Sequence, residues 1–188
     1  SFNPRETAAV ILSQAQIDPS GLLPKLIQDG FKGFIHCTPV TEELCQILLP
    51  DCGHIQESDA EIATRKGLRA GKSVVEPLYT ADDAYLALKH FITHDYDEDV
   101  ELYPGITFRF RVAGHILGSA LVNLMIEENG KKTKLIFTGD VGQPNVPILD
   151  DPHQISGADF IITESTYGNR LHEQIDREKE LCSVMKEA

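Results

Sequence analysis

Three loops of this 188-residue chain combine chemically useful side chains with glycines. The loops are residues 14–21, 113–119 and 138–142, and each lies next to a short apolar run that predicts a buried strand. Loops at strand ends of α/β proteins converge on one site. There His115 and Asp140 would offer imidazole and carboxylate, both of which suit zinc. Taken alone, His115 is more typical of a structural residue, and Asp140 is equally compatible with a turn.

Strands and helices alternate in the part of the chain that must position the first loop. Apolar runs with β-branched residues at 8–13 and 34–38 predict strands, and residues 22–29 and 39–48 predict helices. This β-α-β-α order indicates an α/β architecture.

Local signals further along predict two helix starts and a hairpin. Ser58 and Glu61 have the spacing of a capping box, which predicts that a new helix begins at Ser58. Thr80 is a second candidate N-cap. Asn129 and Gly130 separate two apolar runs and are typical of a tight turn between antiparallel strands.

The formal net charge of −12 argues against a general electrostatic attraction to nucleic acid. It leaves a local basic groove open, because a few well-placed cations can contact phosphate. One cluster of basic residues is compatible with two interpretations, a helix face that contacts RNA or a helix face that is only solvated. Its residues are Arg65, Lys66, Arg69 and Lys72.

The apolar segments and the cysteine spacing predict the cellular compartment of the protein. It contains no apolar run long enough to cross a membrane, so no membrane partner is expected. The first residues lack the basic and then apolar pattern of a signal peptide. The four cysteines have no CxxC spacing, which favours free thiols in a reducing compartment. We therefore expect a cytoplasmic protein.

The three loops and their flanks, taken in order, resemble the metallo-β-lactamase superfamily, and more narrowly its β-CASP ribonucleases. The loops contain SQAQIDPSG, AGHILGSA and FTGDVG, and residues 163–168, TESTYG, are similar to the start of the β-CASP insertion. The resemblance implies an α/β fold, the metallo-β-lactamase αββα sandwich. It also implies zinc-dependent hydrolysis of RNA, with RNA as the partner.

The first loop departs from the pattern of that family, which is His-x-His-x-Asp-His. The three histidine positions are occupied here by Gln14, Gln16 and Pro19, and only Asp18 matches. A glutamine carbonyl is neutral and a poor substitute for imidazole, and proline has no side-chain donor. Because catalytic zinc normally takes three protein ligands, zinc binding is predicted to be weak or absent.

The resemblance implies roles for the residues that do match. Asp18, His115 and Asp140 fall on zinc-ligand positions, with Asp140 bridging two ions that would share the attacking hydroxide. Asp18 and Glu164 fall on catalytic positions, and Glu164 would assist protonation of the leaving group. The predicted site therefore keeps only part of its ligand set.

Three functions remain open from the sequence. One is a zinc-dependent ribonuclease domain that is impaired or inactive, and another is a non-catalytic pseudoenzyme that binds RNA or protein. The third is a different metallo-β-lactamase-fold hydrolase, such as a thioesterase. The resemblance further implies that residues 1–188 form a partial domain without N-terminal strands. The β-CASP domain would begin after about residue 168, and a protein partner could complete the fold.

Overall fold

The computed structural model describes residues 2–68, 73–171 and 177–187, which form an α/β structure with two sheets. The predicted α/β class is therefore confirmed. The strands are β1 (Ala9–Ile11), β2 (Phe34–Cys37), β3 (Phe91–Thr93), β4 (Val100–Tyr103), β5 (Ile106–Val112), β6 (Ala120–Glu128), β7 (Lys131–Phe137) and β8 (Phe160–Ile162). The helices are α1 (Ile17–Ser20), α2 (Leu23–Gln28), α3 (Pro39–Leu68), α4 (Ala81–Leu88) and α5 (Arg177–Glu187), and a 3-10 turn at Pro4–Glu6 precedes β1.

The first sheet contains β1, β2 and β3 in that order, all parallel. Parallel neighbours need crossover connections, which here contain α2, α3 and α4. Successive side chains of β2 point to opposite faces. Ile35 and Cys37 pack in the core with Leu49 of α3, whereas His36 faces the second sheet, against Phe108.

The second sheet has the order β4-β5-β6-β7-β8, and all its pairs are antiparallel except β7 with β8. One of its faces carries the buried residues Phe108, Phe110, Ala120 and Val122, which pack with Ile11 of β1. The two sheets therefore lie face to face. In the described part of the chain the layers are helices, the parallel sheet and the larger sheet.

Two of the predicted local signals are confirmed. Asn129 and Gly130 connect β6 to β7 with φ angles of 52° and 75°, the left-handed conformation that a type I′ hairpin turn requires. Thr80 caps α4 through a complete capping box with Asp83.

The predicted helix start at Ser58 is wrong, because Ser58 lies inside the continuous 30-residue helix α3. Pro50 within this helix is buried, so packing offsets a cost of about 3 kcal/mol for an interior proline. Gly53 lets α3 approach α4 closely, since a Cβ atom there would lie 2.5 Å from the backbone nitrogen of Ala81. Neither α3 nor any other described helix is long and apolar enough to cross a membrane.

The outermost strands of the two sheets differ in how well their side chains are covered. Of the described strands, β1 pairs only with β2, and β8 pairs only with β7. The β8 side chains Phe160, Ile161 and Ile162 are each more than half exposed. The edge of the larger sheet therefore presents an apolar surface.

Candidate functional site

Backbone hydrogen bonds join the three glycine-containing loops at one end of the two sheets. The Ala120 N–H donates to the carbonyl oxygen of Ser13 at 2.8 Å, and the Gly142 N–H donates to that of Ala113 at 2.9 Å. These bonds connect the loop after β1 to the loop between β5 and β6, and that loop to the one after β7. The structure thus brings the three loops together.

Two glycines make this close approach possible. A Cβ atom on Gly142 would lie only 1.7 Å from the carbonyl oxygen of Gly114, which no real side chain allows. Gly114 has a φ of +66°, and a Cβ atom there would lie 2.8 Å from the backbone oxygen of Asp150. The loops can therefore meet only with glycine at position 142, and glycine at position 114 lets the segment at Asp150 approach the same turn.

The converging loops and the segment after β8 surround a cleft of about 570 Å³. Four residues with predicted roles line it together, namely Asp18, His115, Asp140 and Glu164. The remaining lining residues are Gln16, Gly114, Val141, Gly142, Gln143, Val146, Thr166 and Tyr167.

The buried side chain of Gln14 lies at the base of this site and donates to the carboxylate of Asp140. Its Nε2 is 2.7 Å from Asp140 Oδ2 and 2.5 Å from Gln16 Oε1. An ionised carboxylate only accepts hydrogen bonds, so it fixes the orientation of the Gln14 amide group. Gln14 Oε1 is buried without a hydrogen-bond partner, and the reverse orientation would point this oxygen at Asp140.

The second glutamine engages the histidine of the site. Gln16 Oε1 accepts from Gln14, so the Gln16 amide nitrogen faces His115 Nε2, at 3.1 Å. An amide NH₂ group can only donate, which makes His115 Nε2 the acceptor and leaves the ring proton on Nδ1. His115 Nε2 is 3.6 Å from Asp140 Oδ2. Amide hydrogens thus satisfy the imidazole and the carboxylate that could otherwise ligate a metal.

The side chains around the cleft do not fit a catalytic zinc ion. Within the described ranges, no three side chains of His, Cys, Asp or Glu are close enough to share a metal ion. Asp18 and Pro19 lie in the first turn of the short helix α1, where a missing N–H is tolerated. Pro19 therefore suits the helix while offering no ligand.

Glu164 connects the segment after β8 to the loop that carries Asp140. Its Oε1 accepts a hydrogen bond of 2.8 Å from the backbone N–H of Val141. Next to it, the Thr138 and Thr163 hydroxyl groups are 3.1 Å apart. The carboxylate of Glu164 thus has a positioning role that the sequence did not reveal.

Ser119 is a second residue with a role at the site that the sequence did not predict. Its Oγ accepts from the backbone N–H groups of His115 at 3.1 Å and Ile116 at 3.2 Å. The hydroxyl group therefore shapes the turn that presents His115. The only sequence signal was a serine at the end of a glycine-containing turn.

The two described residues of the candidate RNA-binding cluster are not part of the cleft. Arg65 and Lys66 are exposed near the end of α3 and do not line it. Arg69 and Lys72 lie outside the described residues.

Two histidines to which the sequence gave no role form a pair between the sheets. His36 Nδ1 and His94 Nε2 are 2.9 Å apart, and both rings contact Phe108 edge to face. Burial lowers the pKa of both imidazole groups below the ordinary value, and for His36 the neighbouring His94 lowers it further. We infer a structural pair that stays neutral at pH 7.

Sequence comparison finds relatives along nearly the whole chain, although no family model matches it. The chain is 33% identical over 171 residues to Ribonuclease TTHA0252 of Thermus thermophilus. This match covers 91% of this chain and 34% of that protein. It is 32% identical over 190 aligned positions to the transcription termination factor FttA of Methanocaldococcus jannaschii, covering 99% of this chain and 27% of that protein. This chain therefore spans about a third or less of these relatives.

Solved structures with a similar arrangement include MEM-A1, a subclass B3 metallo-β-lactamase from a soil metagenome library. The TM-score is 0.45 at 15% identity, with 77% of this chain and 47% of that chain covered. The Rm3 metallo-β-lactamase gives a TM-score of 0.43 at 11% identity, covering 78% of this chain and 47% of that chain.

The relatives in sequence confirm the predicted resemblance. This chain is similar in sequence to RNA-processing nucleases, and the solved structures similar to it include metallo-β-lactamases. Among the proteins that this chain matches are one named as a ribonuclease and several named as transcription termination factors.

Proposed function

We propose that this chain is a metal-poor, RNA-binding member of the β-CASP group of RNA-processing nucleases, and that it hydrolyses RNA weakly or not at all. The observation that carries the proposal is the hydrogen bonding of Gln14 to Asp140 and of Gln16 to His115. The motif TESTYG, with Glu164 lining the cleft, supports the narrower assignment to the β-CASP group.

Loss of hydrolysis follows from the donor set of the site. In intact relatives a zinc ion would lower the pKa of a bound water and stabilise charge on the scissile phosphate. Here a metal would have to displace amide hydrogens from His115 Nε2 and Asp140 Oδ2, which lie 3.6 Å apart. In return it would gain two good ligands, fewer than the three that catalytic zinc normally takes.

RNA binding is supported by what the site retains. The cleft has the volume of a typical ligand site, and glycines bring its loops together. The relatives named as a ribonuclease and as transcription termination factors point to RNA. A cleft without an efficient metal centre can hold a strand of RNA without cutting it.

An active metal-dependent ribonuclease is the second candidate. Asp18, His115, Asp140 and Glu164 all line the same cleft, which favours this alternative. It differs from the first candidate in requiring that added metal displaces the glutamine amides.

One RNA oligonucleotide can test both candidates. We expect fluorescence anisotropy to show saturable binding of a labelled single-stranded RNA, and gel analysis with added zinc to show no cleavage above a buffer blank. Cleavage that a chelator stops and Asp140→Asn abolishes would instead establish the active ribonuclease. Hydrolysis of a thioester without any RNA binding would establish a different hydrolase of the same fold.

A further inference from the structure

A cation lies against an aromatic ring at the rim of the cleft. The guanidinium carbon of Arg170 is 4.5 Å from the centroid of the Tyr167 ring, a distance typical of a cation–π contact. Tyr167 lines the cleft and remains 46% exposed. The guanidinium therefore covers one face of the ring, and Tyr167 keeps part of its surface open to solvent at the cleft.

Local backbone structure holds the two side chains in this arrangement. The Gly168 N–H donates to the carbonyl oxygen of Ser165 at 3.0 Å, and the Arg170 N–H donates to that of Tyr167 at 3.4 Å. These successive turns place residue 170 over residue 167. Glu164 connects the same segment to the loop after β7 by accepting a hydrogen bond from the Val141 N–H.

Negatively charged side chains line the cleft, so a nearby arginine matters for binding a polyanion. Asp18, Asp140 and Glu164 contribute carboxylates, and none of the described lining residues is lysine or arginine. The whole chain carries a formal net charge of −12. A polyanionic strand that enters this cleft needs a cation near it, and Arg170 provides one at the rim.

We propose that Tyr167 and Arg170 together bind one nucleotide of single-stranded RNA at the rim of the cleft. The Tyr167 ring contacts a base, because every base has an aromatic face that can stack on tyrosine. The Arg170 guanidinium binds a neighbouring phosphate, for which its planar array of N–H donors is suited. This inference rests on the proposed function, since it names the residues that bind RNA in the same cleft.

The test measures RNA affinity by fluorescence anisotropy at several salt concentrations. Arg170→Ala is expected to weaken binding about tenfold, and to reduce the slope of log K against log salt by about 0.7, the value for one phosphate contact on a single strand. Arg170→Lys is expected to restore the slope and only part of the affinity, because lysine keeps the charge and loses the planar donor array. Tyr167→Leu is expected to weaken binding without changing the slope.

Arg5→Ala is the matched control, because it removes the same charge from another exposed arginine. Arg5 lies before β1, whereas the cleft lies after β1. Arg5→Ala is expected to keep the parent slope. Parent-like affinity and slope in both Arg170→Ala and Tyr167→Leu would overturn the inference while leaving RNA binding intact. A parent protein that binds no RNA would overturn the proposed function itself.

Discussion

Replacing Gln14 by glutamate would put a carboxylate where an amide now donates to Asp140 at 2.7 Å. The substitution removes a hydrogen bond to a charged group, which contributes about 1.5–3 kcal/mol, and adds repulsion between two carboxylates. Protonating the new group at pH 7, from an ordinary pKa of about 4.3, costs about 3.7 kcal/mol and limits the repulsion. We therefore expect Gln14→Glu to lower the free energy of unfolding by about 2–4 kcal/mol at pH 7.

This loss should depend on pH in a defined direction. The neighbouring carboxylate raises the pKa of the new glutamate in the folded chain, so the loss grows as pH rises above about 4.3 and shrinks below it. Urea denaturation at pH 5 and pH 7 measures both values, with a chelator present because the new carboxylate could ligate a metal. Gln143→Glu, an exposed glutamine of the same cleft, is the control for the added charge. Parent-like stability of Gln14→Glu at pH 7 would refute the proposed contact with Asp140.

Three further predictions concern the scaffold. Gly142→Ala should destabilise the chain by more than about 2 kcal/mol in urea denaturation, because its Cβ would lie 1.7 Å from a backbone oxygen. The control Gly157→Ala should cost about 1 kcal/mol, because only its positive φ opposes a side chain. Thr80→Ala should cost about 1 kcal/mol in the same assay, since α4 loses its capping hydrogen bonds. Burial lowers the pKa of His36 and His94 in the folded chain. The free energy of unfolding should therefore fall as pH drops below about 6.5. Replacing both histidines by glutamine should flatten this dependence of stability on pH.

The elements predicted from sequence are those whose signals are local. The Asn129–Gly130 turn, the Thr80 cap and the α/β alternation depend on residues a few positions apart, and each is present in the structure. The helix start at Ser58 failed because tertiary packing overrode a local signal. Its capping-box spacing competes with burial of α3 against α4, and burial prevails.

The candidate site was predictable in its location and not in its chemistry. Loops rich in glycine at strand ends indicated where His115 and Asp140 would lie. Gln14 looked like a lost ligand, because its hydrogen bond to Asp140 spans 126 residues of sequence and leaves no local pattern. The contact between Tyr167 and Arg170 is local, yet their spacing alone does not tell a stacked pair from two solvated side chains.

The zinc content of the purified natural chain tests the central claim most directly. Elemental analysis would follow expression in zinc-supplemented medium and dialysis against zinc-free buffer. The variant Gln14→His, Gln16→His, Pro19→His, prepared in parallel, restores the three imidazoles of the family motif. We expect well under one zinc ion per natural chain and a clear gain in the variant. About two zinc ions per natural chain would contradict the account, because the metal would then have displaced the amides of Gln14 and Gln16.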